Sequence, residues 1–202
     1  MRIVISDFMS LDGVVQAPGG REEDTEGGFQ HGGWSMPFFD PDTMGPAIGE
    51  AMEKTEALLF GRRTWQTMAA AWPERAGDAF ADQMNEIRKY VVSRTLEKGD
   101  LTWTNTTLLP SDDAIGAVRK LRDEPGGDIQ VMGSSSLAAQ LVEHDLVDEY
   151  LLMIEPIMLG GGKTLFPSDG QARKLELIGT RPTATGVLIC TYRPVAGSDV
   201  PT

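Results

Sequence analysis

The amino-acid sequence predicts an α/β protein with a central, mostly parallel sheet, antiparallel strands at its C-terminal edge and helices on both faces. Three observations lead there. Apolar runs of strand length alternate with helix-period segments from residue 2 to about residue 143. Such alternation builds parallel sheets. The last part of the chain reads as successive strands with no helix between them, which implies an antiparallel edge. Several apolar runs also end at a glycine or serine that opens a helix, the arrangement found at the carboxyl edge of a parallel sheet.

The elements follow in order. Residues 2–8, Arg2-Ile3-Val4-Ile5-Ser6-Asp7-Phe8, form a first strand. Residues 14–42 are rich in Gly, Pro and charge and read as a long loop, a length that compact domains usually reserve for function. A helix is expected at 43–54, its start marked by Asp42 or Thr43 and by Pro46 in the first turns. Strand 56–60 leads into helix 62–70. A short helix at 79–87 precedes strand 89–93 and a short strand at 101–104. Ser111 reads as the cap of a helix whose first turn holds Asp112 and Asp113, which suits the helix dipole. Its Ala114, Ile115, Val118 and Leu121 recur at helical spacing, and Pro125-Gly126-Gly127 ends it. Strand 128–132 then enters Gly133-Ser134-Ser135-Ser136 and a helix at 136–143. Strands at 149–158, 174–180 and 185–193 complete the sheet. No repeat, low-complexity segment or linker interrupts the chain, so 1–202 is expected to be one domain.

Composition narrows the function. The 202 residues are 41% hydrophobic, enough for a sizeable core, and carry a formal net charge of −12. That charge argues against general binding to nucleic acid or to an anionic membrane, both of which need a positive field. It also makes a local positive cluster conspicuous, and Arg62-Arg63 is one. A single cysteine, Cys190, excludes an internal disulfide and a cysteine-based zinc site. Its β-branched apolar surroundings mark it as a buried structural thiol. No metal site is expected from His31 or His144. The N-terminus lacks the apolar stretch of a signal peptide and no apolar run reaches membrane-spanning length, so a cytoplasmic protein is expected.

Three strand ends carry the functional signal. After strand 56–60 comes Gly61-Arg62-Arg63-Thr64, a glycine, two cations and a hydroxyl at a helix start, where unpaired N–H groups and the dipole attract phosphate. After strand 89–93 comes Ser93-Arg94-Thr95. After strand 128–132 comes Gly133-Ser134-Ser135-Ser136-Leu137, where glycine permits close backbone approach and the serines offer donors. Together these fit a dinucleotide with a pyrophosphate and an extra phosphate. An arginine accommodates a 2′-phosphate where an acid would meet a bare ribose, so Ser93-Arg94 favours NADP over NAD. Gly160-Gly161-Gly162-Lys163-Thr164 imitates the end of a P-loop but has Ile157 where that pattern needs glycine.

Ser10-Leu11-Asp12-Gly13, Gly61-Arg62-Arg63-Thr64-Trp65, Ser93-Arg94-Thr95, Met132-Gly133-Ser134-Ser135 and Glu155-Pro156-Ile157-Met158-Leu159-Gly160-Gly161-Gly162, in this order, resemble the dihydrofolate reductase superfamily. The closer likeness is to the C-terminal reductase domain of the bifunctional riboflavin-biosynthesis deaminase/reductase and its stand-alone relatives. The resemblance implies NADPH as hydride donor and a small pterin- or pyrimidine-like heterocycle as acceptor. It implies that Gly61, Arg62, Arg63 and Thr64 hold phosphates, that Ser93 and Arg94 face the 2′-phosphate, that Gly133 to Leu137 wrap the pyrophosphate, and that Val14, Val15 and Gln16 flank the nicotinamide. It also implies a homodimer, through the C-terminal strands.

The sequence departs from those relatives at the substrate. The riboflavin reductase has Val-Glu-Gly-Gly where this chain has Met132-Gly133-Ser134-Ser135, without the acid. Dihydrofolate reductases carry Trp-x-Leu-Pro-x-Asp, and here Trp34-Ser35-Met36-Pro37-Phe38-Phe39-Asp40 is one residue longer. Asp40 is a candidate proton donor, its pKa raised by apolar neighbours, or else a cap for the following helix. Trp34 and Asp12 are candidate substrate contacts, Asp12 being also a turn former in Asp-Gly. Trp65 reads as core. Two other classes remain open: a non-catalytic NADPH- or small-molecule-binding module on the same fold, and a nucleotide-dependent transferase on another α/β fold.

Overall fold

The computed structural model describes residues 1–110 and 112–195. One eight-stranded sheet runs through it. Its strands are β1 (Arg2–Ser10), β2 (Thr55–Gly61), β3 (Arg88–Val92), β4 (Thr106–Leu109), β5 (Asp128–Val131), β6 (Glu149–Glu155), β7 (Leu175–Pro182) and β8 (Leu188–Pro194), in the order β4-β3-β2-β5-β1-β6-β8-β7. Pairing from β4 through β6 is parallel, and β8 and β7 add antiparallel strands at the edge. The helices are α1 (Met44–Met52), α2 (Arg62–Ala71), α3 (Ala79–Glu86), α4 (Ala114–Asp123) and α5 (Ser135–Glu143).

Alternation along the strands sends side chains to two cores. Ile3, Ile5, Leu59, Ile129 and Val131 pack on one face against Val118 and Leu121 of α4 and Leu137 and Leu141 of α5. On the other face Leu58, Phe60 and Val91 pack against Met52, Trp65 and Met84, from α1, α2 and α3. Met44 and Ala47 of α1 meet Met153 and Ile189. Both faces of β2 and β5 are covered, which is why these strands read as unbroken apolar runs.

Several expected boundaries move, and the strand expected at 185–193 begins only at Leu188. The strand expected at 101–104 lies at Thr106–Leu109 instead. Trp103 plugs the core, its Nε1 donating to Asn85 Oδ1 at 2.7 Å, and Asn105 takes a left-handed φ of 57°, so the chain cannot join the sheet until it has turned. The cap of α4 is Asp113, whose side chain accepts from Gly116 N; the expected cap, Ser111, lies outside the described residues. The strand expected to reach 158 ends at Glu155, because Ile157 N turns back to the Glu155 carbonyl. Cys190 is buried in β8. Among the described residues no helix is long and apolar enough to cross a membrane.

Candidate functional site

The carboxyl ends of β3, β2, β5 and β1 stand side by side, and the chain leaves β2 and β5 directly into helices. Gly61 is the N-cap of α2 and donates its backbone N–H to the Gly133 carbonyl at 3.1 Å. A Cβ on Gly61 would stand 2.3 Å from Ser134 Oγ. Gly133 adopts φ +97°, a conformation that favours glycine, and faces Thr64. The two glycines therefore bring the starts of α2 and α5 into contact.

These helix starts are also unblocked. Asp78 caps α3 by accepting from Phe80 N and Ala81 N, and Asp113 caps α4. Neither α2 nor α5 has a side-chain cap or an acid in its first turn. Their orphan N–H groups and positive dipole ends lie together in an otherwise acidic protein, which suits an anion with more than one phosphate. Cavities flank them: one of about 460 Å³ between α2 and residues 95–102, and one of about 430 Å³ bordered by Ser135, Ser136 and Lys163.

Arg62 donates to Gln66 Oε1 at 3.0 Å and meets no carboxylate among the described residues. Arg63 is engaged by Glu26, which also meets Lys163 at 2.6 Å; Arg63 first and Lys163 next hold the Glu26 carboxyl down at about 2. Lys163 further pairs with Asp24. The long loop is thus pinned by charge to the start of α2 and to the glycine-rich turn near residue 162. Ser93 Oγ accepts from Thr95 N and Leu96 N, building the turn that presents Arg94. Arg94 is exposed and forms no ion pair among the described residues. Ser134 and Ser136 share a hydrogen bond at 3.0 Å, and Leu137 is buried in the core.

The loop residues serve its architecture. Val14 bridges to Thr164, and Val15 packs in the core. Buried Gln16 donates to the carbonyls of Asp24 and Glu26 and accepts from Lys163 N. Its own carbonyl accepts from Trp34 Nε1 at 2.8 Å, so buried Trp34 is fixed in place. Asp12 accepts from Ser10 Oγ and from Leu159 N and Gly160 N, which pull its carboxyl down to about 2. Asp40 accepts from Ala184 N at 3.1 Å and from Asp42 N. The Ala184 amide above all holds its carboxyl below the usual range, the opposite of the shift that apolar neighbours were expected to give.

The RibD C-terminal domain profile matches residues 2–189. This chain belongs to the RibD C-terminal domain family. It is similar to the uncharacterized protein YyaP of Bacillus subtilis, with 28% identity over 195 residues covering 95% of this chain and 94% of that one. Its fold is similar to that of a putative riboflavin biosynthesis protein from Shewanella sp. PV-4, with TM-score 0.73, 18% identity and coverage of 96% and 99%. It is also similar to dihydrofolate reductase from Enterococcus faecalis complexed with NADP(H), with TM-score 0.57, 14% identity and coverage of 96% of both chains. The fold is dihydrofolate reductase-like.

Two carboxyls in this RibD C-terminal domain are not among the site residues that the sequence motifs imply. Pairing between β1 and β5 ends at Ile5 with Val131, and Asp7 follows on β1 where the strands part. Asp7 keeps some accessible surface, and its carboxyl is hydrogen-bonded by the Phe8 backbone amide, which lowers its pKa less than burial raises it. The surrounding protein strips its hydration and pushes its pKa up to about 8. Glu155, at the end of β6, is fully buried; its Oε1 accepts from Ser35 Oγ at 2.5 Å and its Oε2 has no partner among the described residues. Burial pushes it up to about 7. The signal for Asp7 was an acid inside an apolar strand, Ile3-Val4-Ile5-Ser6-Asp7-Phe8-Met9; that for Glu155 was an acid closing the apolar run Tyr150–Ile154. Among the described residues, no cluster of His, Cys, Asp or Glu is arranged to hold a metal ion.

Proposed function

We propose that this chain is an NADPH-dependent reductase that transfers a hydride to a small heterocycle of pterin or pyrimidine type. The observation that carries this reading is the contact between two uncapped helix starts at Gly61 and Gly133. The donor set fits the coenzyme. The N-termini of α2 and α5 suit a pyrophosphate, and the unpaired Arg94 suits a 2′-phosphate. Arg62 adds positive charge beside α2. When bound, NADPH supplies the hydride, and the protein supplies position and electrostatics.

The chain's own residues do the rest. The loop pinned by Glu26, Lys163 and Asp24 covers the carboxyl edge and excludes water. Asp7, at the parting of β1 and β5, keeps its proton at neutral pH and so suits protonation of a ring nitrogen. This assigns the proton to Asp7 in place of Asp40, whose carboxylate is held ionised by backbone donors. The same reading includes a homodimer through β7 and β8, where Leu177, Ile178 and Leu188 stand exposed; light scattering that reports a monomer removes that part alone.

The test is a thermal-shift titration with NADPH and NADH, followed by a panel of pterins and pyrimidinones read by loss of reduced-nicotinamide absorbance. NADPH should stabilise the protein more than NADH, and at least one heterocycle should be turned over. Absence of any NADPH shift overturns the reading. A shift without turnover across the panel favours a binding module.

A further inference from the structure

At the opposite, amino end of the parallel strands a groove of about 260 Å³ opens between α1 and the sheet. Its floor holds an anomaly. Gln130 sits on the central strand β5, between Val4 and Leu58 in register, where a covered strand calls for an apolar side chain. It is only 3% exposed, lines the groove, and makes no side-chain hydrogen bond among the described residues. Neither polar atom of its side chain is cut off from solvent, so the amide faces the groove and is free to meet a ligand there.

The charges around this groove are unevenly matched. Asp128 is held by Arg2, and Glu149 by Arg2 and Arg193. Glu50 of α1 reaches Arg181 of β7 at 3.5 Å, closing one side. Lys54, at the rim, has no carboxylate partner among the described residues. The walls contributed by Val4, Leu151 and Ile189 are apolar.

We propose that this groove is a second ligand site, for a small planar lactam bearing an anionic group. A primary amide presents an acceptor and a donor in one plane. A ring edge with adjacent N–H and C=O answers both, as lactams and pyrimidinediones do. The apolar walls suit the ring faces, and Lys54 meets the anion. The volume falls just below the roughly 300–1,000 Å³ of drug-sized sites, which limits the occupant to one substituted ring. The groove lies away from Gly61 and Gly133, so the proposal stands whether or not the carboxyl-edge cleft is a reductase site.

Calorimetric titration tests it, with orotate (lactam and carboxylate), uracil (lactam alone) and benzoate (carboxylate alone) as probes. Orotate should saturate, uracil should bind about tenfold more weakly for lack of the charge-assisted contact, and benzoate should not bind. Gln130→Leu should abolish orotate binding, and Lys54→Met should reduce it to the uracil level. Neither should alter the NADPH-induced thermal shift. Should Gln130→Leu not fold, Gln130→Met serves instead. Absence of saturable orotate binding, equal binding of benzoate, or retention of orotate affinity without the Gln130 amide overturns the proposal.

Discussion

Gly61 donates its backbone N–H to the Gly133 carbonyl at 3.1 Å, and a methyl group on Gly61 would stand 2.3 Å from Ser134 Oγ. The starts of α2 and α5 are therefore as close as backbone allows. Gly61→Ala is expected to cost about 1–3 kcal/mol of stability, as overpacking does, and to weaken NADPH binding by spreading the two N-termini. Denaturant melts and a coenzyme titration measure both. An alanine variant with unchanged stability and affinity would show that the contact is not constraining.

Arg94 and Arg63 look alike in the sequence but differ in their partners. Arg94 meets no carboxylate among the described residues, whereas Arg63 is occupied by Glu26. Arg94→Ala should weaken NADPH by about 10- to 100-fold, the worth of a charge-assisted phosphate contact, and leave NADH unaffected. Arg63→Ala should change the NADPH/NADH ratio little. Equal losses for both coenzymes in Arg94→Ala would remove the 2′-phosphate role.

Asp7 gives the proposed reaction a pH signature. Its pKa is raised to about 8, so the proton-donating form predominates below that value and is lost above it. The rate should fall as pH rises through about 8. Asp7→Asn should lower kcat by roughly 10²- to 10⁴-fold, the usual worth of a general acid, and abolish the alkaline limb. A limb that survives the substitution belongs to another group.

The fold was legible because its signals are local. Gly61 and Gly133 end apolar runs and open helices, and that pattern alone marks the two helix starts that meet. The 101–104 strand was misplaced because Trp103 looks like a strand residue until Asn85 is seen to hold its indole. Ion pairs between distant segments left no trace in the sequence. Nothing there says that Glu26 would occupy Arg63, or that Asp40 would be held by Ala184, 144 residues away. Asp7 was visible as an acid in a strand, but its meaning depends on where β1 parts from β5, which is a matter of register.

Glu155 has a stability signature of definite sign. Its carboxyl ionises near 4.5 in an unfolded chain and near 7 in the folded protein, where burial opposes the charge. Between these values the folded state holds a proton that the unfolded state has released, so stability falls as pH rises, at up to about 1.4 kcal/mol per pH unit. Below the lower value the two states are equally protonated and the effect vanishes. Asp7 acts in the same direction over an overlapping window, so the comparison belongs in an Asp7→Asn background. There, Glu155→Gln should flatten the fall in thermal midpoint between those two pH values and keep a hydrogen-bond acceptor for Ser35. Parallel curves for the two proteins would mean that Glu155 is ionised throughout, with its Oε2 hydrogen-bonded in solution.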